Sequence, residues 1–332
     1  MGEKIVVAGG GAFGTGLAIV MSADQNADIT LLMRNADHAA DMQISRINKT
    51  RLPDVKVPDG LKITSDERCV EEADILLSVV PTGAQIEFAK QIKPHLKKTT
   101  PFVICSKGFD KGTGGLMSRC VQDVLPDQDI AVLSGPGFAS DIAKGLPTAM
   151  TLAAENKALA QKISKALSRQ TFRLYGSDDL IGVQTGGALK NVLAIASGIV
   201  MGAGLGESAR ASVIARGLAE LSRYISFMGG KSETASGLSG LGDLVLTATS
   251  AQSRNYRFGI ELGKGASSES LVGPDKPLVE GANAAIAARA LSNRENIILP
   301  ITNSVADIIE GRLDVAQAIQ ELLARPLRQE QE

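Results

Sequence analysis

Histidine is almost missing from this chain: two residues, His38 and His95, in 332. That excludes a histidine-rich metal centre and leaves few histidines to act as an acid or base. His95 lies in the polar run Lys93-Pro94-His95-Leu96-Lys97-Lys98, and His38 falls just beyond a strand, so both are expected at the surface. Cysteine is nearly as scarce. Cys69, Cys105 and Cys120 are odd in number, widely spaced and form no CxxC. They read as reduced thiols of a cytoplasmic protein, not as a disulfide framework. Excess charge is lacking too: 35 Lys and Arg face 36 Asp and Glu. No general attraction to nucleic acid or an anionic membrane is expected, although a local basic pocket for a small anion is compatible with that balance. Long hydrophobic runs are also wanting. The opening MGEKIVVAGGG drops into glycines too early for a signal-peptide core. The charge-free stretch from Asn191 to Gly206 is short for a membrane span, rich in Gly and Ala, and reads as a buried helix.

What is present alternates. Short β-rich runs occur at Ile5–Ala8, Ile29–Leu32, Ile75–Val80, Phe102–Cys105 and Ile130–Leu133, with helical segments such as Gly14–Ala23 between them. Several runs are almost continuously apolar, as parallel strands covered on both faces are. Repeated βα units predict an α/β fold: a Rossmann-type doubly wound parallel sheet. Two further runs, Ala149–Ala153 and Thr171–Tyr175, extend the same sheet. After Gly176-Ser177-Asp178-Asp179 the composition turns to Ala, Gly and Leu. Helical spacing then marks segments from Leu189, over 209–228, near 282–291 and over 301–324. The expected division is a dinucleotide-binding domain, 1–177, and an all-helical substrate domain, 178–332.

The first strand runs into Gly9-Gly10-Gly11-Ala12-Phe13-Gly14, where Gly9, Gly11 and Gly14 fit GxGxxG. Gly9 permits the tight turn, Gly11 lets a pyrophosphate approach the backbone, and Gly14 lets helix pack on strand. The helix N-terminus offers N–H groups to the phosphates. Alone the motif is weak, but here it ends a strand and opens a helix. A glycine-rich turn of purely structural origin is the plainer alternative. Where an NAD enzyme often has an acidic residue after the second strand, this chain has Arg34. Arg34 suits a 2′-phosphate or stacking on adenine, which favours NADPH or at least admits it beside NADH. A solvated arginine is the other reading.

Lys190 stands among Gly186, Gly187, Ala194 and Ser197 at helical spacing. A long cation amid small neighbours leaves room for a ligand, and burial would bring its pKa toward a useful range. A lysine snorkelling from a helix end is the alternative. Asp243, in Leu238-Ser239-Gly240-Leu241-Gly242-Asp243, could orient it. Ser253, Arg254 and Asn255 supply donors for a phosphate or diol, or cap a helix. A carboxylate substrate, or a cofactor-sensing protein without turnover, would also fit such a set.

These segments together resemble the bacterial-type NAD(P)-dependent sn-glycerol-3-phosphate dehydrogenases. The likeness runs through GGGAFGTGLA, Ser106-Lys107-Gly108, Ser134-Gly135-Pro136-Gly137-Phe138-Ala139, GALKNVLAIASGI, GLSGLGDL and Ser253-Arg254-Asn255, in that order. It implies interconversion of dihydroxyacetone phosphate and sn-glycerol 3-phosphate, supplying glycerophospholipid synthesis. It also implies roles. Gly9, Gly11, Ala12, Phe13 and Gly14 would contact the cofactor, with Arg34 at its adenosine end. Lys107 would serve cofactor and substrate. Gly135, Gly137 and Ala139 would line the site, with Ala139 toward the cofactor. Lys190 would be the acid/base. Asp243, Ser253, Arg254 and Asn255 would hold the substrate, with Arg254 also near the cofactor. Leu278 and Glu280 would close over the cofactor's outer end. No metal is needed, and a homodimer is expected. This chain departs from the family pattern in three places. Phe13 replaces the frequent Trp or Tyr, and Gly137 the common Ser, which removes any hydroxyl contact. Ser208 stands where Asn is frequent, so a role for that position does not carry over.

Overall fold

The computed structural model describes residues 3–24, 27–271 and 279–326. Among the described residues ten strands occur: β1 (Lys4–Ala8), β2 (Asp28–Leu32), β3 (Ile47–Asn48), β4 (Leu52–Lys56), β5 (Lys62–Thr64), β6 (Ile75–Ser78), β7 (Phe102–Ile104), β8 (Ile130–Ser134), β9 (Thr148–Ala154) and β10 (Phe172–Ser177). Eight form one sheet in the order β10-β9-β8-β7-β6-β1-β2-β5. Its pairs are parallel except β8–β9, which is antiparallel. The expected doubly wound parallel sheet is present, with one antiparallel pair at β8–β9. An apolar run signals burial on both faces but not direction. Alternate residues of the central strands enter different cores: Ile5 and Val7 pack on one face, Val6 and Ala8 on the other. That two-sided burial explains the unbroken apolar runs. The antiparallel β3–β4 hairpin and the edge strand β5 were not foreseen. The sequence LPDVK carries a proline and alternates poorly, so it gives little strand signal.

The first half also holds α1 (Ala12–Met21), α2 (Ala36–Ser45), α3 (Gln85–Ile92), α4 (Met117–Val124), α5 (Ala139–Ala143) and α6 (Lys157–Leu167). Helices then take over: α7 (Leu180–Gly202), α8 (Gly206–Phe227), α9 (Asp243–Ala248), α10 (Arg254–Gly263), α11 (Ser268–Leu271), α12 (Glu280–Glu295), α13 (Pro300–Ile309) and α14 (Val315–Leu323). The expected helical stretch 301–324 is two helices. Gly311 takes φ +68°, and Asp314 starts α14 with a capping box to Gln317.

α7 is the axle of this half. It is long and apolar enough to cross a membrane, yet 89% of its apolar window is buried inside the protein. It is a core helix, as its Gly and Ala content suggested. Asp179 caps it, accepting from Gly182 N at 2.9 Å. The same carboxylate accepts from Lys231 N and Thr234 Oγ1, tying the helix start to the chain that leads to Asp243. Along α10 the two backbones touch. A methyl at Gly198 would collide with the Tyr256 carbonyl, and one at Gly259 with that of Ile195. Gly202 and Gly263 repeat the arrangement one turn on.

Candidate active site

The glycine loop lies at the C-terminal end of β1, where ligands enter parallel sheets. Gly9 has φ +130°, and a Cβ there would stand 2.7 Å from the Val79 carbonyl. A methyl at Gly14 would strike the carbonyl of Gly9. Both glycines are thus fixed by packing. Gly11 differs: it is exposed, is the N-cap of α1, and a Cβ there would meet no atom within 4 Å. Open space above a helix N-terminus is what a pyrophosphate requires, and a side chain would fill it. Ala12 and Phe13 form the first turn, with Phe13 packed partly against the core. Gly16 lets α1 approach Ala139, whose carbonyl would lie 2.8 Å from a Cβ there. Arg34 follows β2, is exposed and makes no ion pair among the described residues. Leu278 lies outside the described residues. Glu280 opens α12 and accepts a hydrogen bond from Thr82 Oγ1 at 2.9 Å, which joins the two halves of the chain.

Across the crevice two lysines share one carboxylate. Lys190 is 3% exposed, and its Nζ lies 3.1 Å from Asp243 Oδ1 and 3.2 Å from Thr247 Oγ1. Lys107 follows β7; its Nζ donates to Asp243 Oδ2 at 2.6 Å and to the Gly135 carbonyl at 2.9 Å. Gly135 holds φ +143°, a conformation a side chain would resist. A π-helical turn, Leu238–Gly242, delivers Asp243 to the site, an irregularity that recurs at functional positions. Gly186 admits this turn, since a Cβ there would sit 3.2 Å from the Ser239 carbonyl. Gly187 admits Ser134, whose Oγ a Cβ there would strike. The snorkelling alternative for Lys190 is removed by this burial. With both lysines protonated, the trio carries one positive charge.

Burial pushes the Lys190 ammonium down to about 8, against the pull of Asp243 and with the help of Lys107.

The Ser253-Arg254-Asn255 triplet splits by task. Ser253 is buried and caps α10, its Oγ accepting from Tyr256 N at 3.2 Å. Arg254 is exposed and makes no ion pair among the described residues. Asn255 donates to Asn191 Oδ1 at 2.9 Å and accepts from Gly281 N at 3.1 Å, joining α10 to α7 and α12. Gly137 lies beside Ile142 and Met150, away from the lysine pair's hydrogen bonds. Thr247, Asn191 and Thr82 were not anticipated. Thr247 had a signal: it follows Asp243 by one helical turn and so shares its face. His38 is half-buried on α2 rather than fully at the surface, and His95 pairs with Glu71 at 2.7 Å; neither takes part in this hydrogen-bonded set.

A GxGxxG turn at the end of β1 of a largely parallel sheet, together with a buried lysine–carboxylate pair, is the arrangement of an NAD(P)-dependent oxidoreductase. A family model described as NAD-dependent glycerol-3-phosphate dehydrogenase N-terminus matches residues 4–160, and its C-terminal counterpart matches 179–320. The chain belongs to this glycerol-3-phosphate dehydrogenase family. It is 52% identical over 328 residues to the glycerol-3-phosphate dehydrogenase [NAD(P)+] of Agrobacterium fabrum, covering 99% of each chain. A crystal structure of glycerol-3-phosphate dehydrogenase from Coxiella burnetii is similar at a TM-score of 0.90 and 39% identity, covering 98% of this chain and 99% of that one. A ketopantoate reductase from Ralstonia eutropha shares the fold alone, at a TM-score of 0.60 and 16% identity, covering 95% of this chain and 99% of that one.

Proposed function

We propose that Lys190 is the acid/base in an NAD(P)-dependent interconversion of dihydroxyacetone phosphate and sn-glycerol 3-phosphate. The observation that carries this is the buried Lys190 ammonium, held by Asp243 and Thr247, with Lys107 on the other oxygen of the same carboxylate. Bound NAD(P)H supplies hydride to C2 of the ketone, and the oxidised form takes it back. As the carbonyl oxygen becomes an alkoxide, the Lys190 ammonium stabilises it and donates the proton. In oxidation the neutral amine removes that proton. Asp243 keeps Lys190 aimed. Lys107 and Arg254 offer cations to the substrate phosphate, with Ser253, Asn255 and the Gly135 backbone around it. Gly9, Gly11, Ala12, Phe13 and Gly14 would hold the pyrophosphate, with Arg34 at the adenosine, Lys107 and Ala139 toward the inner end, and Arg254, Glu280 and Leu278 at the outer rim.

Division of labour at 177 between cofactor and substrate domains follows from the same reading. So do a cytoplasmic homodimer, without nucleic-acid or membrane partners, and a role in supplying phospholipid synthesis. Arg34 favours NADPH.

The test is loss of absorbance at 340 nm with dihydroxyacetone phosphate, run with NADPH and with NADH. Oxidation of either supports the assignment, and a rate ratio above one for NADPH supports Arg34's role. Cofactor binding without oxidation would leave a sensor. The pH profile adds a signed expectation. Reduction needs the ammonium, so its kcat/KM should be level below about 8 and fall above it. Oxidation needs the amine and should rise through the same region. Profiles that move together would remove Lys190 from the proton step.

Arg254→Ala should raise the KM for dihydroxyacetone phosphate. Its exposure sets the loss at about 1.5–3 kcal/mol, typical of a charge-assisted hydrogen bond, or roughly 10- to 150-fold. An unchanged KM would show that Arg254 does not grip the phosphate.

A further inference from the structure

One side chain of the β3–β4 hairpin reaches the glycine loop. Asn48 is 0% exposed, and its Nδ2 donates to the Gly10 carbonyl at 3.0 Å and to Thr15 Oγ1 at 2.8 Å. Its Oδ1 accepts from Arg51 N at 3.2 Å and Thr50 Oγ1 at 3.4 Å. Both amide protons and the carbonyl oxygen are occupied, so the side chain has one orientation. A flip would set Oδ1 against the Gly10 carbonyl.

We propose that Asn48 is a positioning residue for the dinucleotide: by holding the Gly10 carbonyl toward the hairpin, it presents the Gly11 N–H to the pyrophosphate. The inference rests on reading the glycine loop as the cofactor site. The Gly10–Gly11 peptide is planar and trans, so its C=O and N–H point in opposite directions. With the carbonyl anchored, the N–H faces away from the hairpin. Gly11 is the N-cap of α1 and exposed, so this N–H has no intrahelical acceptor. Three consecutive glycines could otherwise turn that peptide over at little cost. The turned peptide would aim a carbonyl dipole at the phosphates. The loop thus needs an outside restraint, and a hairpin residue 38 positions away in sequence provides it through one amide. Thr15, 1% exposed on α1, takes the second proton, while the acceptor bonds at Oδ1 keep the amide from rotating.

The measurement is the Kd for NADPH, by fluorescence titration of the full chain without substrate. Asn48→Ala should raise that Kd by about tenfold, the size of one lost neutral hydrogen bond plus an unsatisfied carbonyl. At saturating NADPH its kcat and its KM for dihydroxyacetone phosphate should stay within about twofold, since the lysine site is untouched. Asn48→Asp keeps the shape, cannot donate to Gly10 and adds a negative charge beside the phosphates, so it should bind more weakly than Asn48→Ala. Thr15→Val leaves the Asn48–Gly10 bond in place, and its Kd should lie within about twofold of wild type. It also separates aiming from packing should Asn48→Ala fold poorly. Wild-type Kd in both Asn48 variants, or an equal loss in Thr15→Val, would overturn the proposal. A wild-type chain that binds no NADPH would instead remove the cofactor reading beneath it.

Discussion

Lys190→Ala should lower turnover with dihydroxyacetone phosphate by on the order of 10³-fold or more, while NADPH binding stays intact. Two losses add up. A positioned general acid contributes roughly 10²- to 10⁴-fold. A donor aimed at a developing oxyanion contributes roughly 10²- to 10³-fold. The variant should fold, because Asp243 keeps its ion pair with Lys107 at 2.6 Å. Truncation also opens space beside Thr247, so a small alkylamine should restore part of the turnover, with a pH dependence that follows the amine's own pKa. Turnover within about tenfold of wild type would take Lys190 out of the chemistry, since a general acid contributes at least that much more.

Asp243→Ala should be nearly as damaging, for a different reason. Asp243 is 2% exposed and is the shared counter-ion of both lysines. Removing it leaves Lys190 buried without its counter-ion beside the partly exposed Lys107, and breaking a buried pair in this way costs about 3–5 kcal/mol. The effect on Lys190 has a definite sign. Burial and Lys107 lower its pKa while Asp243 raises it. Without Asp243 only the weaker pull of Glu280 remains against burial and Lys107, so the alkaline limb of ketone reduction should move down from about 8. The enzyme would lose its acid near neutral pH as well as its fold margin. A variant whose alkaline limb does not move would show that Asp243 acts only as packing.

Local chemistry made much of this legible from sequence, and distance in sequence hid the rest. The GxGxxG turn announces itself because glycine is the only residue that tolerates the contacts at positions 9 and 14. Lys190 stood out because a charge interrupts an apolar helix. The Lys107–Asp243 ion pair could not be read in the same way. It joins residues 136 apart and depends on the β7 end meeting a π-helical turn. Asn48 was invisible for a related reason: nothing in Ile47-Asn48-Lys49 distinguishes a loop asparagine from one that crosses to the glycine turn. Ser253 shows the opposite limit. A serine before a helix reads equally as a ligand or a cap, and its hydroxyl accepts from Tyr256 N. The direction of β9 was likewise not encoded in its apolar pattern, which is the same for either sense.

The backbone contact between α7 and α10 bears on how such an enzyme can diversify. Lys190 belongs to one helix, and Arg254 opens the other. With glycines at four crossing points and no side chains between, the helices cannot slide or spread to suit a longer or shorter substrate. The spacing between Lys190 and Arg254 is thereby set by main chain, like the jaws of a fixed-gauge tool. New substrate lengths in this lineage would have to arise where the gauge is open, at the turn that carries Asp243 or along the rim of the nucleotide half.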